Sequence, residues 1–382
     1  MSRHQEIEYR DEPYSLRERI IAAVLVLVML AGAWQAVRAW TPWSELELPE
    51  GWTAFREGKT TLAIEKQMDQ RLPARDGIIA VANSLRWLLL RGGGADVTVG
   101  RDGWLFLTEE FRHGDIGDGD PMRARLNLLG AANRALQAQG VQLLVALVPD
   151  KARIYPALPL PAGYPDYAQP RYRQALDGLQ QRGVESVDLF TPMAQTPSPE
   201  IPLYYRTDTH WSQSGARVAA IAIAARIRQL AGCPGDTPYA TREEGQSVER
   251  PGDLLRMMGL ADSRRLPRPA PDREVVQVTE AAGDAPGDGG GLFGDVTVPV
   301  VLAGTSFSLR GNFHGALQEA TSCEVLNVAR DGAGFLQSMA AYLKDDAFKT
   351  AKPTVIIWEI PERFLTLPLE TEATWMRDVG LQ

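Results

Sequence analysis

Cysteine and histidine are scarce in this chain of 382 residues: two of the first, Cys233 and Cys323, and four of the second, His4, His113, His210 and His314. Two cysteines are too few for a disulfide-stapled scaffold or a zinc ribbon. Nowhere do five basic residues run together, and 40 Lys and Arg stand against 48 Asp and Glu, a formal net charge of −8. That balance argues against a nucleic-acid binder, which carries a basic excess or patch. The composition of a disordered chain is also missing. With 45% apolar and 23% charged residues, a sizeable core is expected. No internal repeat is present.

One long apolar run stands out. Residues 20–37 read IIAAVLVLVMLAGAWQAV, with Gln35 the single polar side chain. That is about the minimum for a membrane-crossing helix. Trp34, Trp40 and Trp43 follow as interfacial aromatics, and Arg17 and Arg19 precede it, so the bias places the N-terminus inside and the rest outside. A cleaved signal peptide is the competing reading, since Ala31-Gly32-Ala33 offers small residues, but the acid-bearing tail before it is unlike a signal n-region. The expectation is an uncleaved single-pass anchor in a bacterial inner membrane, with the remainder in the periplasm. Cys233 and Cys323 could pair there.

The chain then divides into residues 1–40 (tail and anchor), a helical lead-in at 41–96, and a main domain at 97–382. Asp102-Gly103 between Val97–Val99 and Leu105–Leu107 predicts a β-hairpin. A continuous apolar run at 141–148, a short strand at 184–189 and apolar stretches at 298–303, 323–328 and 354–360 predict the strands of a buried sheet. Helical spacing falls between them at 122–139, 172–181, 213–230 and 334–343, with Ser212 as N-cap of the third. Strands alternating with helices predict an α/β fold with a mainly parallel sheet and flanking helices. Residues 262–295, rich in proline and charge and containing Asp288-Gly-Gly-Gly291, read as a mobile surface insert.

Two stretches carry chemistry. Asp208 and His210 stand two apart immediately before a helix, a spacing that lets the carboxylate orient the imidazole and leave its other nitrogen as a general base. Ser306, in Gly304-Thr305-Ser306, ends a buried strand, where parallel-sheet proteins display functional groups; a base is what a serine hydroxyl needs to become a nucleophile. Taken singly, the first is as often a structural pair and the second as often turn chemistry. No second His or Cys lies at ligand spacing, so no metal is expected. Ser308 is an alternative nucleophile and His314 an alternative base.

These pieces together resemble the SGNH-hydrolase-like proteins that acetylate bacterial exopolysaccharides, the alginate O-acetyltransferase-like family. The matching phrases are Gly100-Arg-Asp-Gly-Trp-Leu-Phe106, Val148-Pro-Asp-Lys-Ala-Arg-Ile-Tyr155, Tyr205-Arg-Thr-Asp-Thr-His-Trp211, Gly252-Asp-Leu254, Gly304-Thr-Ser-Phe-Ser308 and Trp358-Glu-Ile-Pro-Glu-Arg363. The resemblance implies Ser306 as nucleophile, His210 as base and Asp208 as the residue orienting it. It also implies a circularly permuted SGNH-like sheet, since the serine here follows the Asp/His element. Asn327-Val-Ala-Arg-Asp-Gly332 becomes the candidate oxyanion loop, with the N–H groups of Ser306 and Gly332 as donors. Arg363 is either a supporting group near the site or a surface ion pair, and Lys151, Tyr155, Tyr204 and Arg206 are candidates for a polysaccharide groove. The resemblance further implies an O-acetyltransferase working through an acetyl-serine, with no bound cofactor. Its acetyl donor would be delivered by a membrane-bound O-acyltransferase alongside other exopolysaccharide biosynthesis subunits. A carbohydrate acetylesterase with the same triad, or a non-catalytic polysaccharide-binding scaffold subunit of an export complex, remain as alternatives at this point.

Overall fold

The computed structural model describes residues 51–71, 75–113, 120–196, 201–230, 233, 237–282, 298–369 and 372–379, with scattered positions between 23 and 34. Half of the expected membrane span at 20–37 falls outside them. Among the described residues no helix is long and apolar enough to cross a membrane. The chain divides into two units, Met1–Ala82 and Asn83–Gln382. In the first lie helices at Trp52–Arg56 and Lys59–Arg71 and the start of a third, Arg75–Leu90.

The second unit opens on the expected hairpin, β1 (Val97–Val99) and β2 (Leu105–Leu107), paired antiparallel with Val99 opposite Leu105. Asp102 and Gly103 both take positive φ, 53° and 78°, the left-handed turn that an Asp-Gly pair tolerates best. The hairpin packs on Leu254, Leu255, Met258 and Leu260 in a small core of its own.

Downstream, helices α1 (Pro121–Gln137), α2 (Arg171–Gln180), α3 (Gln213–Gln229), α4 (Phe313–Thr321) and α5 (Gln337–Lys344) surround a five-stranded sheet. Its strands are β3 (Gln142–Val148), β4 (Glu185–Asp188), β7 (Val300–Ala303), β8 (Val325–Asn327) and β9 (Val355–Pro361), in the order β4-β3-β9-β7-β8. Every neighbouring pair is parallel. These are the five strands expected from the sequence, and the near-continuous apolar character of the central three, β3, β9 and β7, has a structural cause: both faces are covered. Leu144, Ala146, Leu302 and Ile357 face α3 and α4 in one core, while the alternate residues Leu143, Val145, Val301 and Ile356 face α1, α2 and α5 in the other. Counted in chain order starting from β7, the sheet reads 2-1-3-4-5, a common doubly wound order whose switch point lies between the first and third strands. Here that point is the carboxyl ends of β7 and β9.

One expectation is corrected. Half of the supposed mobile insert is ordered: β6 (Asp272–Ala281) pairs antiparallel with β5 (Tyr239–Arg250), with a bulge between Glu244 and Val248. This ribbon was not legible as strand because much of it is polar. Cross-strand contacts hold it, among them Thr241 with Thr279 at 2.8 Å and Arg242 with Glu280 at 3.1 Å. The glycine-rich stretch 288–291 lies outside the described residues. Cys233 and Cys323 form a disulfide with their Cα atoms 6.3 Å apart.

Candidate active site

Ser306 sits where β7 ends. Thr305 caps the short 3₁₀ turn Ser306–Leu309, its hydroxyl accepting the Phe307 N–H at 3.3 Å. The strand must end on glycine here, because a Cβ on Gly304 would stand 2.5 Å from the Glu359 carboxylate and 2.7 Å from the Ser308 hydroxyl. Glu359, buried in β9, accepts the Thr305 N–H at 2.7 Å and hydroxyls of Thr305 and Ser308 at 3.0 Å. Burial raises the Glu359 pKa and these hydrogen bonds oppose the rise. Ser308 is therefore committed to Glu359 and does not face the base. His314 is occupied as well, its Nε2 bonded to the Val325 carbonyl at 2.7 Å.

The other half of the site is the turn before α3. Ser212 caps that helix through the Gly215 N–H at 3.3 Å, and a bridge between Tyr204 and Trp211 closes the turn. Asp208 Oδ1 contacts His210 Nδ1 at 2.5 Å and accepts the His210 backbone N–H at 3.0 Å. A carboxylate can only accept, so Nδ1 carries the ring proton and Nε2 is free to accept from Ser306 Oγ, 2.7 Å away. Burial pushes the Asp208 pKa up, but the hydrogen bond and charge of His210 outweigh it and hold the carboxyl well below the usual range. Ser306, His210 and Asp208, spread over almost a hundred residues of sequence, thus form one hydrogen-bonded line.

A cleft of about 710 Å³ opens beside this line. Asp208 and His210 lie in its wall together with Arg250, Glu274 and Val276 of the β5–β6 ribbon, Asp253 and Arg256 beyond β5, and Arg310 and Asp331 on the sheet side. Arg250 pairs with Glu274 at 3.1 Å, and Arg310 with Asp331 at 3.0 Å. Tyr205, which also lines the cleft, donates its hydroxyl to Glu274 and stacks under the Arg250 guanidinium at 4.6 Å.

The groove residues expected from sequence are mostly elsewhere. Lys151 is wholly buried, its Nζ donating to the carbonyls of Leu105 at 2.5 Å and of Arg206 and Asp208 at 2.9 Å. It lies 5.1 Å from the centroids of the Trp104 and Phe106 rings. Burial lowers its pKa to about 8 against the pull of Glu110 and the aspartates. Tyr204 is buried with its hydroxyl on the Pro149 carbonyl at 2.6 Å. Tyr155 packs its ring 4.4 Å from Trp104 and accepts the Leu203 N–H. Arg206 keeps a half-exposed side chain, 3.8 Å from Asp272, but is not part of the cleft wall. Lys151, Tyr155 and Tyr204 support the turn from behind, through backbone groups and rings far off in sequence.

Gly332 is exposed with φ of 66° and makes no hydrogen bond with Ser306; its neighbour Asp331 reaches the cleft instead. The Ser306 N–H, at the first position of its turn, has no acceptor among the described residues. Arg363 is neither on the surface nor in the cleft wall: it is buried, its guanidinium 5.6 Å from the Phe307 ring and 3.6 Å from Glu109, and its N–H donates to Asp150 at 3.2 Å. The sequence signal for Glu359 was available and unused, for a carboxylate inside a strand covered on both faces must have partners.

Asp208, His210 and Asp253 are close enough to share a metal ion. The geometry does not favour one. Two ligands of a tetrahedral ion at about 2.0–2.1 Å stand about 3.3 Å apart, whereas Asp208 and His210 are at 2.5 Å, the spacing of a charge-assisted hydrogen bond.

With this geometry in hand, similarity to known proteins becomes informative. A family profile described as "SGNH hydrolase-like domain, acetyltransferase AlgX" matches residues 97–362. The chain belongs to this SGNH hydrolase-like acetyltransferase family. It is 37% identical over 316 residues to the probable alginate O-acetylase AlgJ of Pseudomonas putida, covering 81% of this chain and 80% of that one. Similarity to the AlgJ of Pseudomonas aeruginosa is 33% over 340 residues, 85% of each chain. The solved O-acetyltransferase domain of Pseudomonas putida AlgJ superimposes with a TM-score of 0.64 at 35% identity, over 74% of this chain and 98% of that domain. Pseudomonas aeruginosa AlgX gives 0.60 at 25% identity, over 75% and 66%. The chain is thus an enzyme of the O-acetyltransferase class, on the α/β fold with a mainly parallel sheet expected from its sequence.

Proposed function

We propose that this protein transfers acetyl groups to hydroxyls of an exopolysaccharide, alginate being the acceptor named for its AlgJ and AlgX relatives, through an acetyl ester on Ser306. The observation that carries the reading is the unbroken line Ser306 Oγ–His210 Nε2 at 2.7 Å and His210 Nδ1–Asp208 Oδ1 at 2.5 Å. In the first step Ser306 Oγ attacks the carbonyl of an acetyl ester as its proton passes to His210 Nε2. The tetrahedral intermediate collapses, the donor's oxygen leaves with that proton, and acetyl-Ser306 remains. In the second step a sugar hydroxyl attacks the serine ester and gives its proton to His210, which returns it to Ser306 Oγ as the acetylated sugar departs. Asp208, held ionised, stabilises the imidazolium in both steps. The Ser306 N–H is the oxyanion donor this reading favours; losing one such donor typically costs about 10²–10³ in rate.

The strand order counted from β7 supports reading the sheet as a circularly permuted SGNH sheet. The apolar run at 20–37 supports an inner-membrane anchor with the catalytic domain in the periplasm, and the Cys233–Cys323 disulfide fits an exported domain. In that setting a membrane-bound O-acyltransferase would deliver the acetyl donor and no resident cofactor is required.

The test is the intact mass of the full chain after incubation with p-nitrophenyl acetate, with Ser306→Ala in parallel. The reading expects one acetyl adduct on the wild type, absent from the variant and removed by alginate oligosaccharide. An adduct that persists in folded Ser306→Ala, or none on the wild type, would overturn it.

A further inference from the structure

Asp253 brings a second carboxylate beside the imidazole and has no part in the steps above. It opens the short helix Asp253–Met257 at the end of the β5 connection. Its Oδ2 stands 3.5 Å from His210 Nδ1, the nitrogen that Asp208 already engages. One Asp253 oxygen accepts the Thr209 backbone N–H at 2.7 Å and the other the Thr209 hydroxyl at 2.5 Å. The Asp253 N–H in turn donates to Asp208 Oδ2 at 3.3 Å. Gly252 makes this approach possible, since a Cβ there would fall 2.0 Å from the Thr207 carbonyl oxygen. One residue therefore grips the Asp208–His210 turn twice, by its side chain on Thr209 and by its backbone on Asp208.

The charges around His210 come from four elements, one of them carrying the buried Lys151 ammonium, 2.9 Å from the Asp208 carbonyl. Asp208 lies on its own turn and Asp253 on the neighbouring helix. Arg250, at the end of β5, is 4.0 Å from Asp208. Ser306 and the Phe307 ring, 4.9 Å away, are neutral. Only one carboxylate can lie in line with the Nδ1 proton, and Asp208 does. Asp253 is too far for that bond, but close enough for its charge to matter in a buried site. Thr209 Oγ1, which it orients, lies 3.3 Å from the same nitrogen.

We propose that Asp253 is a positioning residue for the acyl transfer: a second carboxylate that fixes the Asp208–His210 turn through Thr209 and stabilises His210 once it has taken the serine proton. The inference rests on His210 being the base. Its test measures kcat and KM for p-nitrophenyl acetate turnover by the full chain across the pH range, for wild type, Asp253→Asn, Thr209→Val and Ser306→Ala. Asp253→Asn keeps the shape and an acceptor for the Thr209 N–H while removing the charge. The expected result is a kcat about tenfold lower with KM little changed, and an acid limb of the rate profile moved to lower pH, since an imidazolium that loses a nearby anion gives up its proton more readily. Thr209→Val, which breaks only the hydroxyl contact, should lower kcat without moving the limb. A purely structural role would be rescued by asparagine. Wild-type kcat and an unmoved acid limb in folded Asp253→Asn would overturn the inference. If that variant does not fold, wild-type kcat in Thr209→Val would do so. Full activity in Ser306→Ala would instead overturn the triad reading on which the inference depends.

Discussion

The Glu359 carboxylate accepts the backbone N–H of Thr305 at 2.7 Å, so the residue preceding the candidate nucleophile is held from beneath by a neighbouring strand. Both groups are buried, and the same carboxylate takes the hydroxyls of Thr305 and Ser308. The turn that presents Ser306 is thereby tied to β9 rather than left to its own dihedral preferences.

Removing that tie leaves a buried N–H and two hydroxyls without their acceptor. Glu359→Ala should cost at least about 1–3 kcal/mol of stability and lower ester turnover in the protein that still folds. Urea denaturation and turnover at a temperature well below melting measure the two effects separately. Stability equal to wild type would mean the Thr305 N–H finds another partner.

Asp208→Asn reverses a hydrogen bond. The asparagine amide can donate to His210 Nδ1, which then becomes the acceptor and moves the ring proton to Nε2, facing Ser306. Turnover should fall by about 10⁴-fold with little change in melting temperature. A loss under tenfold would show that the ring keeps its tautomer by other means.

Lys151 gives a pH signature. Burial lowers its pKa to about 8 from an ordinary 10.5, so the folded state holds the proton less tightly than the unfolded chain. Raising the pH from about 8 towards 10.5 therefore releases that proton from the folded state first and stabilises it. Between pH 7 and 9.5 the wild type should gain up to about 2 kcal/mol relative to Lys151→Met. Parallel denaturation curves at the two pH values check this, and equal changes in both proteins would show that the ammonium is not desolvated.

The Cys233–Cys323 bridge spans 90 residues of sequence. Replacing both cysteines by serine should lower stability by about 2–4 kcal/mol. Because the bridge is remote from the catalytic turn in sequence and bonds none of its residues, kcat of the folded variant should match wild type. Denaturation and ester turnover of one preparation test both parts.

How much could be read beforehand followed from how local each signal was. The three central strands were legible because a strand covered on both faces is mostly apolar, and α3 because Ser212 caps it. Asp208, His210 and Ser306 were legible by residue type and by their place at strand and helix ends. The ribbon was not, since its Glu, Gln, Ser and Arg side chains are satisfied by one another across the strands rather than by a core. Lys151 was misjudged for a related reason: in sequence it looks like an exposed cation, and only the folded chain brings the carbonyls of Leu105, Arg206 and Asp208 around it. Asp253 stood within a recognised phrase, but its role depends on contact with Thr209, 44 positions earlier.

The segment that walls the cleft does a second job. Asp272, at the start of β6, accepts the N–H groups of Arg206 and Thr207 at 2.9 Å and the Thr207 hydroxyl at 2.6 Å, while Asp253 holds Asp208 and Thr209. Under the proposed acyl transfer, the surface that would meet an incoming polymer and the contacts that would aim the base are thus one piece. Substitutions at Val248, Glu249 and Gln277, which face the cleft, leave these contacts in place, whereas substitutions at Gly252, Asp253 and Asp272 disturb them. A ribbon grafted whole from a protein with a different acceptor would bring its own alignment of the histidine, for better or worse.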